Sequence, residues 1–154
     1  MRKFEEQFER VKRWYVGFEK IDQGKAHHAH SDYYQDDVYA FFLNCYHLKD
    51  WIKNDHTVPG PVRGKVEDFI NKSDCLKICA DICNALKHLE LKRPPRGGKT
   101  PDWIGRKFQL LLGGGQPTLG VKYSLMTGKG PKDAFELAEE CVREWEQFIK
   151  ANIT

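Results

Sequence analysis

The stretch DICNALKHLEL, Asp81–Leu91, has the pattern of a two-faced helix. Its apolar side chains recur at steps of four and three, the spacing of a buried helical face: Ile82, Leu86 and Leu89. A polar stripe runs beside that face and extends one turn back along the chain: Lys77, Asp81, Asn84 and His88. The stretch therefore predicts a packed helix that carries a polar strip along one edge of its buried face.

Working outward, the chain contains four segments with helical periodicity and two with an extended pattern. The helical segments are predicted at residues 3–21, 36–55, 62–91 and 133–152, with a possible break in the third near Lys72–Asp74. The extended runs are KFQLLL, 107–112, and GVKYSLM, 120–126, while residues 92–107 are predicted to be irregular because of their prolines and glycines. The predicted fold is all-α: a four-helix bundle with a small β-hairpin inserted at about residues 107–126, before the last helix, in one domain spanning 1–154.

Composition narrows the range of functions. The net charge of +3 is too weak to indicate nucleic-acid binding by itself, although it does not oppose a polyanionic partner. No apolar run is long enough to span a bilayer, and the charged N-terminus lacks an apolar secretory segment, so a cytoplasmic protein with no membrane partner is expected. The five cysteines fall within predicted helices, which favours reduced thiols in the core over disulfides.

The polar stripe has two interpretations. His88, with Asp81 and Lys87 nearby on the helix, could titrate near neutral pH and transfer protons, while Asn84 holds a substrate or orients the ring. The alternative is a solvated face with helical ion pairs such as Lys77–Asp81. Because Asp and Asn are poor helix formers, we expect the stripe to be shielded from water, with Asp81, Asn84 and His88 hydrogen-bonded to one another.

The second predicted helix offers a companion pair. His47 and Asp50 lie one turn apart on one face, and an aspartate can orient a histidine ring and fix its tautomer. If the second and third helices are antiparallel neighbours, this pair could converge with the polar stripe. The alternative is a buried polar network that fixes the register of the two helices.

Other motifs carry weaker signals. The cysteines at 75, 79 and 83 lie within an Ile/Leu face, which favours a core role over metal binding. The His-rich segment with His27, His28, His30 and Asp32 could hold a divalent metal together with His47 or His88, or could be an ordinary loop. The GGG and TGKG stretches lack the spacing of a phosphate-binding loop and are predicted turns. No metal site and no cofactor is predicted.

The stretch ADICNALKHLEL, Ala80–Leu91, resembles the HEPN superfamily, whose members are small helical bundles common in toxin–antitoxin and phage-defence systems. The resemblance covers the helical part of the chain, residues 3–91 and 133–152, but rests on the short segment from Asn84 to His88. Active HEPN ribonucleases share an Arg-x(4–6)-His motif, in which Arg positions phosphate and His assists attack by the ribose 2′-hydroxyl without a metal. His88 matches the His, whereas the Arg positions hold Asp81, Ile82 and Cys83.

The resemblance implies two functions from different classes. The first is a metal-independent endoribonuclease that uses His88, with Asn84, Asp81 and Lys87 in support. Lys77, His47 and Asp50 would bind the substrate or hold these side chains in position. The second is a non-catalytic module that binds a cognate protein, a nucleotide or RNA. The resemblance also implies a C2 homodimer, in which an arginine from elsewhere could reach His88: Arg63, Arg93 or Arg96.

Overall fold

The computed structural model describes residues 1–26, 31–87, 93–112 and 117–154. In these ranges it contains five helices: α1 Lys3–Gln23, α2 Ser31–Asn54, α3 Gly60–Lys72, α4 Asp74–Lys87 and α5 Ala134–Asn152. Three strands precede the last helix: β1 Asp102–Leu111, β2 Thr118–Thr127 and β3 Gly130–Asp133. The prediction of a mostly helical chain with a β insertion before the final helix is confirmed at that level.

The predicted four-helix bundle is wrong in its count, because the long third helix is two helices. Ser73 separates α3 from α4 with an extended backbone, φ −99° and ψ 117°. Its hydroxyl accepts from the Leu76 amide at 3.4 Å, and its carbonyl accepts from the Lys77 amide at 3.0 Å. Serine is common at the start of a helix, because its hydroxyl accepts from backbone amides that have no partner within the helix.

The predicted hairpin is part of a three-stranded antiparallel sheet with the order β1-β2-β3. β1 begins at Asp102, inside the segment predicted to be irregular, and pairs along its length with β2. The third strand follows a tight turn in which Gly130 adopts φ +104°, a conformation that glycine tolerates without strain. Asp133 then caps α5 by accepting from the Glu136 amide at 2.9 Å.

The core lies between the helices and one face of the sheet. On β2, alternate residues are buried and pack toward the helices: Val121, Tyr123 and Leu125. The middle of α2 supplies the centre of the core with fully buried side chains: Phe41, Phe42, Cys45 and Leu48. From the buried face predicted for the third helix, Ile82 is buried, Leu86 is instead 40% exposed, and Leu89 lies outside the described residues.

Strand β1 forms one edge of the sheet and is covered over only part of its length. Trp103 packs against Tyr39 and Phe42 of α2, with ring centroids 5.2 and 6.4 Å away. Further along the strand, large apolar side chains are exposed: Phe108 by 52% and Leu110 by 62%. Across the described ranges, no helix is both long and apolar enough to cross a membrane.

Candidate functional site

Asp81 is buried, as the sequence predicts, but its partners come from a different part of the chain. Its side chain lies on α4 and belongs to a residue that is only 1% exposed. One carboxylate oxygen accepts from the Arg96 amide at 2.7 Å, and the other accepts from the Gly97 amide at 2.7 Å. Asp81 therefore fixes the segment between α4 and β1 against the helix through that segment's backbone.

The glycines of this segment allow the close approach. A Cβ at Gly97 would lie 3.1 Å from the Asp81 Oδ2 atom, and a Cβ at Gly128 would collide with the Gly97 carbonyl oxygen. Gly98 adopts φ +85°, where other residues are strained. Burial raises the pKa of Asp81, and the hydrogen bonds from the Gly97 and Arg96 amides oppose that rise.

Among the residues that the structure describes, the rest of the polar stripe does not form the predicted network around Asp81. Within the described residues no hydrogen bond joins Asp81 to Asn84, which is half-buried, and Lys87 is exposed. Lys77 pairs with Asp74 at 3.2 Å, one turn earlier on α4. His88 lies outside the described residues. The expectation that Asp81 is satisfied by Asn84 is therefore wrong, because loop amides take both of its carboxylate oxygens.

His47 and Asp50 do not converge with Asp81. Both are exposed on α2, and neither hydrogen-bonds to Asp81. The thiols of Cys79 and Cys83 on α4 donate to the Phe42 carbonyl oxygen at 3.5 and 3.2 Å, so this side of α4 faces the Phe42 side of α2. His47 is two residues from the buried Cys45, a rotation of about 200° around the helix, which turns it away from α4.

A cluster of basic side chains lies where the segment fixed by Asp81 meets α2 and α3. Glu67 of α3 accepts from Lys49 at 3.0 Å and from Lys53 at 3.1 Å through one carboxylate oxygen. Its other oxygen lies 3.3 Å from the Arg96 guanidinium. We call these four residues the Glu67 cluster. Its three cations share one carboxylate, which leaves a net charge of +2.

Two further contacts hold Arg96 in the Glu67 cluster. Its guanidinium donates to the Asn71 side-chain oxygen at 3.1 Å and to the Tyr46 hydroxyl at 3.4 Å. Burial raises the pKa of Glu67, but hydrogen bonds from Lys49 and Lys53 outweigh it and lower that pKa to about 2. Glu67 is therefore ionised throughout the physiological range, and the cluster keeps its composition of three cations and one anion.

More basic residues lie on both sides of Arg96 along the chain. Residues 93–112 contain five basic side chains and one acidic one, in a chain whose total net charge is only +3. Arg93 and Lys99 are exposed in the segment that Asp81 fixes. Arg106 on β1 pairs with Asp32 at 2.8 Å. This concentration of charge can attract an anionic ligand.

Within the described ranges, the potential metal ligands that the structure brings together are thiols. Cys45, Cys79 and Cys141 are fully buried, and their sulfur atoms lie within 4.8 Å of one another. All five cysteines are free and buried, as the sequence predicts. Of the His-rich segment, His27, His28 and His30 lie outside the described residues, and Asp32 pairs with Arg106.

Sequence reasoning missed the Glu67 cluster. Lys49, Lys53 and Glu67 have the appearance of ordinary solvated helix positions, and the PPRGGK segment was predicted to be only an irregular connection. The available signal was the rise in basic residues after Pro94. Comparisons of the chain with protein-family models, with characterised proteins and with solved structures gave no match.

Proposed function

We propose that this chain is a HEPN-like module of the toxin or phage-defence type that binds RNA through the Glu67 cluster and does not cleave it. The observation that carries the proposal is the sharing of one carboxylate by Lys49, Lys53 and Arg96. Phosphate groups of an RNA backbone can take the place of part of the Glu67 contacts, since phosphate oxygens accept from Lys and Arg in the same way.

The rigid position of Arg96 supports this function. Its backbone amide is bound by Asp81, and its guanidinium is held by Glu67, Asn71 and Tyr46. A preorganised guanidinium loses little freedom when it binds phosphate, and its planar fork suits two phosphate oxygens. Exposed Arg93 and Lys99 extend the basic surface along the same segment.

The role of Asp81 favours binding over cleavage. The HEPN-like ribonuclease mechanism requires a cation at the position of Asp81, Ile82 or Cys83, and Asp81 is an anion whose two oxygens already hold the backbone of the next segment. Arg96 provides a cation in the same chain, but its guanidinium is directed to Glu67 on α3. Among the described residues, Asp81 and Arg96 therefore serve to hold a charged surface in place.

The experiment measures binding and cleavage in the same samples. Labelled single-stranded RNA of mixed sequence is titrated with wild type, Lys53→Ala and Lys150→Ala, and is then run on a denaturing gel. We expect Lys53→Ala to bind roughly 3- to 10-fold more weakly, with a shallower salt dependence. Lys150 is an exposed lysine on α5 without an ion pair among the described residues, so Lys150→Ala is the matched control.

The gel separates the two classes of function. We expect intact RNA with wild type and with His88→Ala, with or without EDTA. Cutting by wild type that is insensitive to EDTA and lost in His88→Ala would establish the ribonuclease function instead. Equal RNA affinities for wild type, Lys53→Ala and Lys150→Ala would reject the Glu67 cluster as the binding surface.

A further inference from the structure

Three thiols from three different helices meet in the middle of the core. Cys45 comes from α2, Cys79 from α4 and Cys141 from α5, and each is 0% exposed. We call these three residues the thiol triad. No pair in the triad is joined by a disulfide.

The triad has the dimensions of a three-coordinate site. Three sulfur atoms within 4.8 Å of one another lie within about 2.8 Å of a common centre, whereas bonds from thiolate sulfur to zinc, for example, are about 2.3 Å long. Inward shifts of roughly half an ångström by each sulfur would therefore place all three at bonding distance. Rotation about the Cα–Cβ bond of a cysteine can provide shifts of this size.

A buried indole provides an independent indication of a ligand. The Trp145 Nε1 atom is buried and has no hydrogen-bond partner among the described residues. Its interaction with Cys45 acts to lower the pKa of that thiol, which places the indole beside the triad. A thiol is a weak acceptor, whereas a sulfur bound to a metal or metalloid carries more negative charge and accepts more strongly. Binding at the triad would therefore satisfy a donor that is otherwise left without a partner.

The net charge of the occupied triad decides which kind of ion it can bind. Three thiolates around a divalent ion leave a net charge of −1 in an apolar core, which costs several kcal/mol when no cation is adjacent. Structural zinc sites also use four ligands. Cys75 and Cys83 lie outside the triad, because among the described cysteines only the sulfur atoms of Cys45, Cys79 and Cys141 all lie within 4.8 Å of one another. A trivalent ion with three thiolates is neutral.

We propose that Cys45, Cys79 and Cys141 form a three-thiolate site for a trivalent thiophilic ion of the arsenite class. Such an ion arrives as the neutral trihydroxide. Three As–O bonds break and three As–S bonds form, and each thiol proton leaves with a hydroxide as water. No oxidant or reductant is needed, and no net charge enters the core. Because the triad is fully buried, the ion reaches it only through transient opening of the helix packing, and binding is slow.

The test uses the reduced full-length protein with sodium arsenite as the probe. Native mass spectrometry should show one arsenic per chain, and X-ray absorption at the arsenic edge should show three sulfur neighbours and no oxygen. We also expect arsenite in large excess to raise the thermal midpoint by roughly 5 °C or more. Zinc at the same concentration should bind more weakly than arsenite.

Cysteine variants give the matched comparison. Cys79→Ala should lose the arsenite-dependent shift, while Cys83→Ala, one turn away on the same helix and outside the triad, should retain it. If Cys79→Ala does not fold, the number of sulfur neighbours in wild type still decides the question. Fewer than three sulfur neighbours, an equal shift in Cys79→Ala, or tighter binding of zinc would each overturn the proposal.

Discussion

Asp81 connects a helix to a segment fifteen residues further along the chain, and it does so through main-chain amides. The sequence pattern indicates that Asp81 is shielded from water. Aspartate disfavours the helix interior, so its presence beside an apolar face suggests that its side chain has a structural role. The pattern does not identify its partners, because backbone amides in a loop carry no side-chain signature. The expected partner Asn84 was plausible by spacing, but both carboxylate oxygens bind to the loop.

Removing the Asp81 carboxylate should destabilise the protein and loosen Arg96. We expect Asp81→Ala to cost about 2 kcal/mol of unfolding free energy, because the partly buried amides of Arg96 and Gly97 lose their acceptor. Urea denaturation measures this cost. Asn84→Ala is the control on the same helix and should cost much less. Equal costs for the two variants would contradict the assignment of Asp81 as the anchor of this segment.

The hydrogen bonds of Asp55 should make the free energy of unfolding depend on pH. Its carboxylate accepts from the Thr57 amide at 2.9 Å, from the Thr57 hydroxyl at 2.7 Å and from the Phe4 amide at 3.1 Å. Burial raises its pKa, but these hydrogen bonds outweigh burial and lower the pKa to about 2, from an ordinary value of 3.8. Since the folded state holds the ionised form, this contribution is present above pH 4 and is lost as the pH falls toward 2.

Asp55→Asn isolates that contribution. We expect wild type to exceed the variant in unfolding free energy at pH 6, and the difference to shrink steadily between pH 4 and pH 2. Thermal unfolding across this range provides the measurement. A difference that stays constant down to pH 2 would show that the Asp55 charge contributes nothing to folding.

At the scale of elements, the sequence predicts helices well and the sheet only in part. The break near Ser73 and the starts of α1 and α5 follow from the periodicity, whereas α2 begins at Ser31, before the predicted start at Asp36. The first half of β1 was missed because Pro94, Pro95 and Pro101 precede it and dominate the local signal. Its strand conformation depends on pairing with β2 and on the packing of Trp103, which are long-range effects.

Two aromatic residues of β1 should respond differently to truncation. Trp103 contacts Tyr39, Phe42 and Tyr123, so Trp103→Ala should cost about 3 kcal/mol by leaving a cavity. Phe108 is 52% exposed, and Phe108→Ala should cost less than 1 kcal/mol in a monomer. Urea denaturation of both variants at low protein concentration gives the comparison. Equal costs would mean that β1 is not anchored through Trp103.

At the scale of the whole molecule, we expect a homodimer with two-fold symmetry, as the resemblance to HEPN domains implies. Asp81 is satisfied within its own chain, so the edge of β1 that pairs with no described strand is the better interface. Its exposed apolar side chains include Phe108 and Leu110, and antiparallel pairing of two copies of one strand is compatible with two-fold symmetry. Light scattering at micromolar concentration should give a dimer, and Phe108→Glu should give a monomer. A monomeric wild type would refute this prediction.

The distribution of charge on the surface depends on how the fold groups charged side chains, which the composition does not reveal. A net charge of +3 appears weak, yet the folded chain brings Lys49 and Lys53 of α2, together with Arg96 from the segment before β1, to the Glu67 carboxylate of α3. No local pattern predicts this, because each residue alone resembles an ordinary surface position. The proposed RNA-binding function depends on that assembly.

The affinity of Glu67→Gln for RNA tests whether the Glu67 cluster binds RNA. The substitution keeps the size and polarity of the side chain and removes its negative charge, so the cluster changes from +2 to +3. Fluorescence anisotropy at several salt concentrations should show that Glu67→Gln binds single-stranded RNA roughly 3- to 10-fold more tightly than wild type, with a steeper salt dependence. An affinity equal to or weaker than that of wild type, in a variant that remains folded, would contradict RNA binding by the Glu67 cluster.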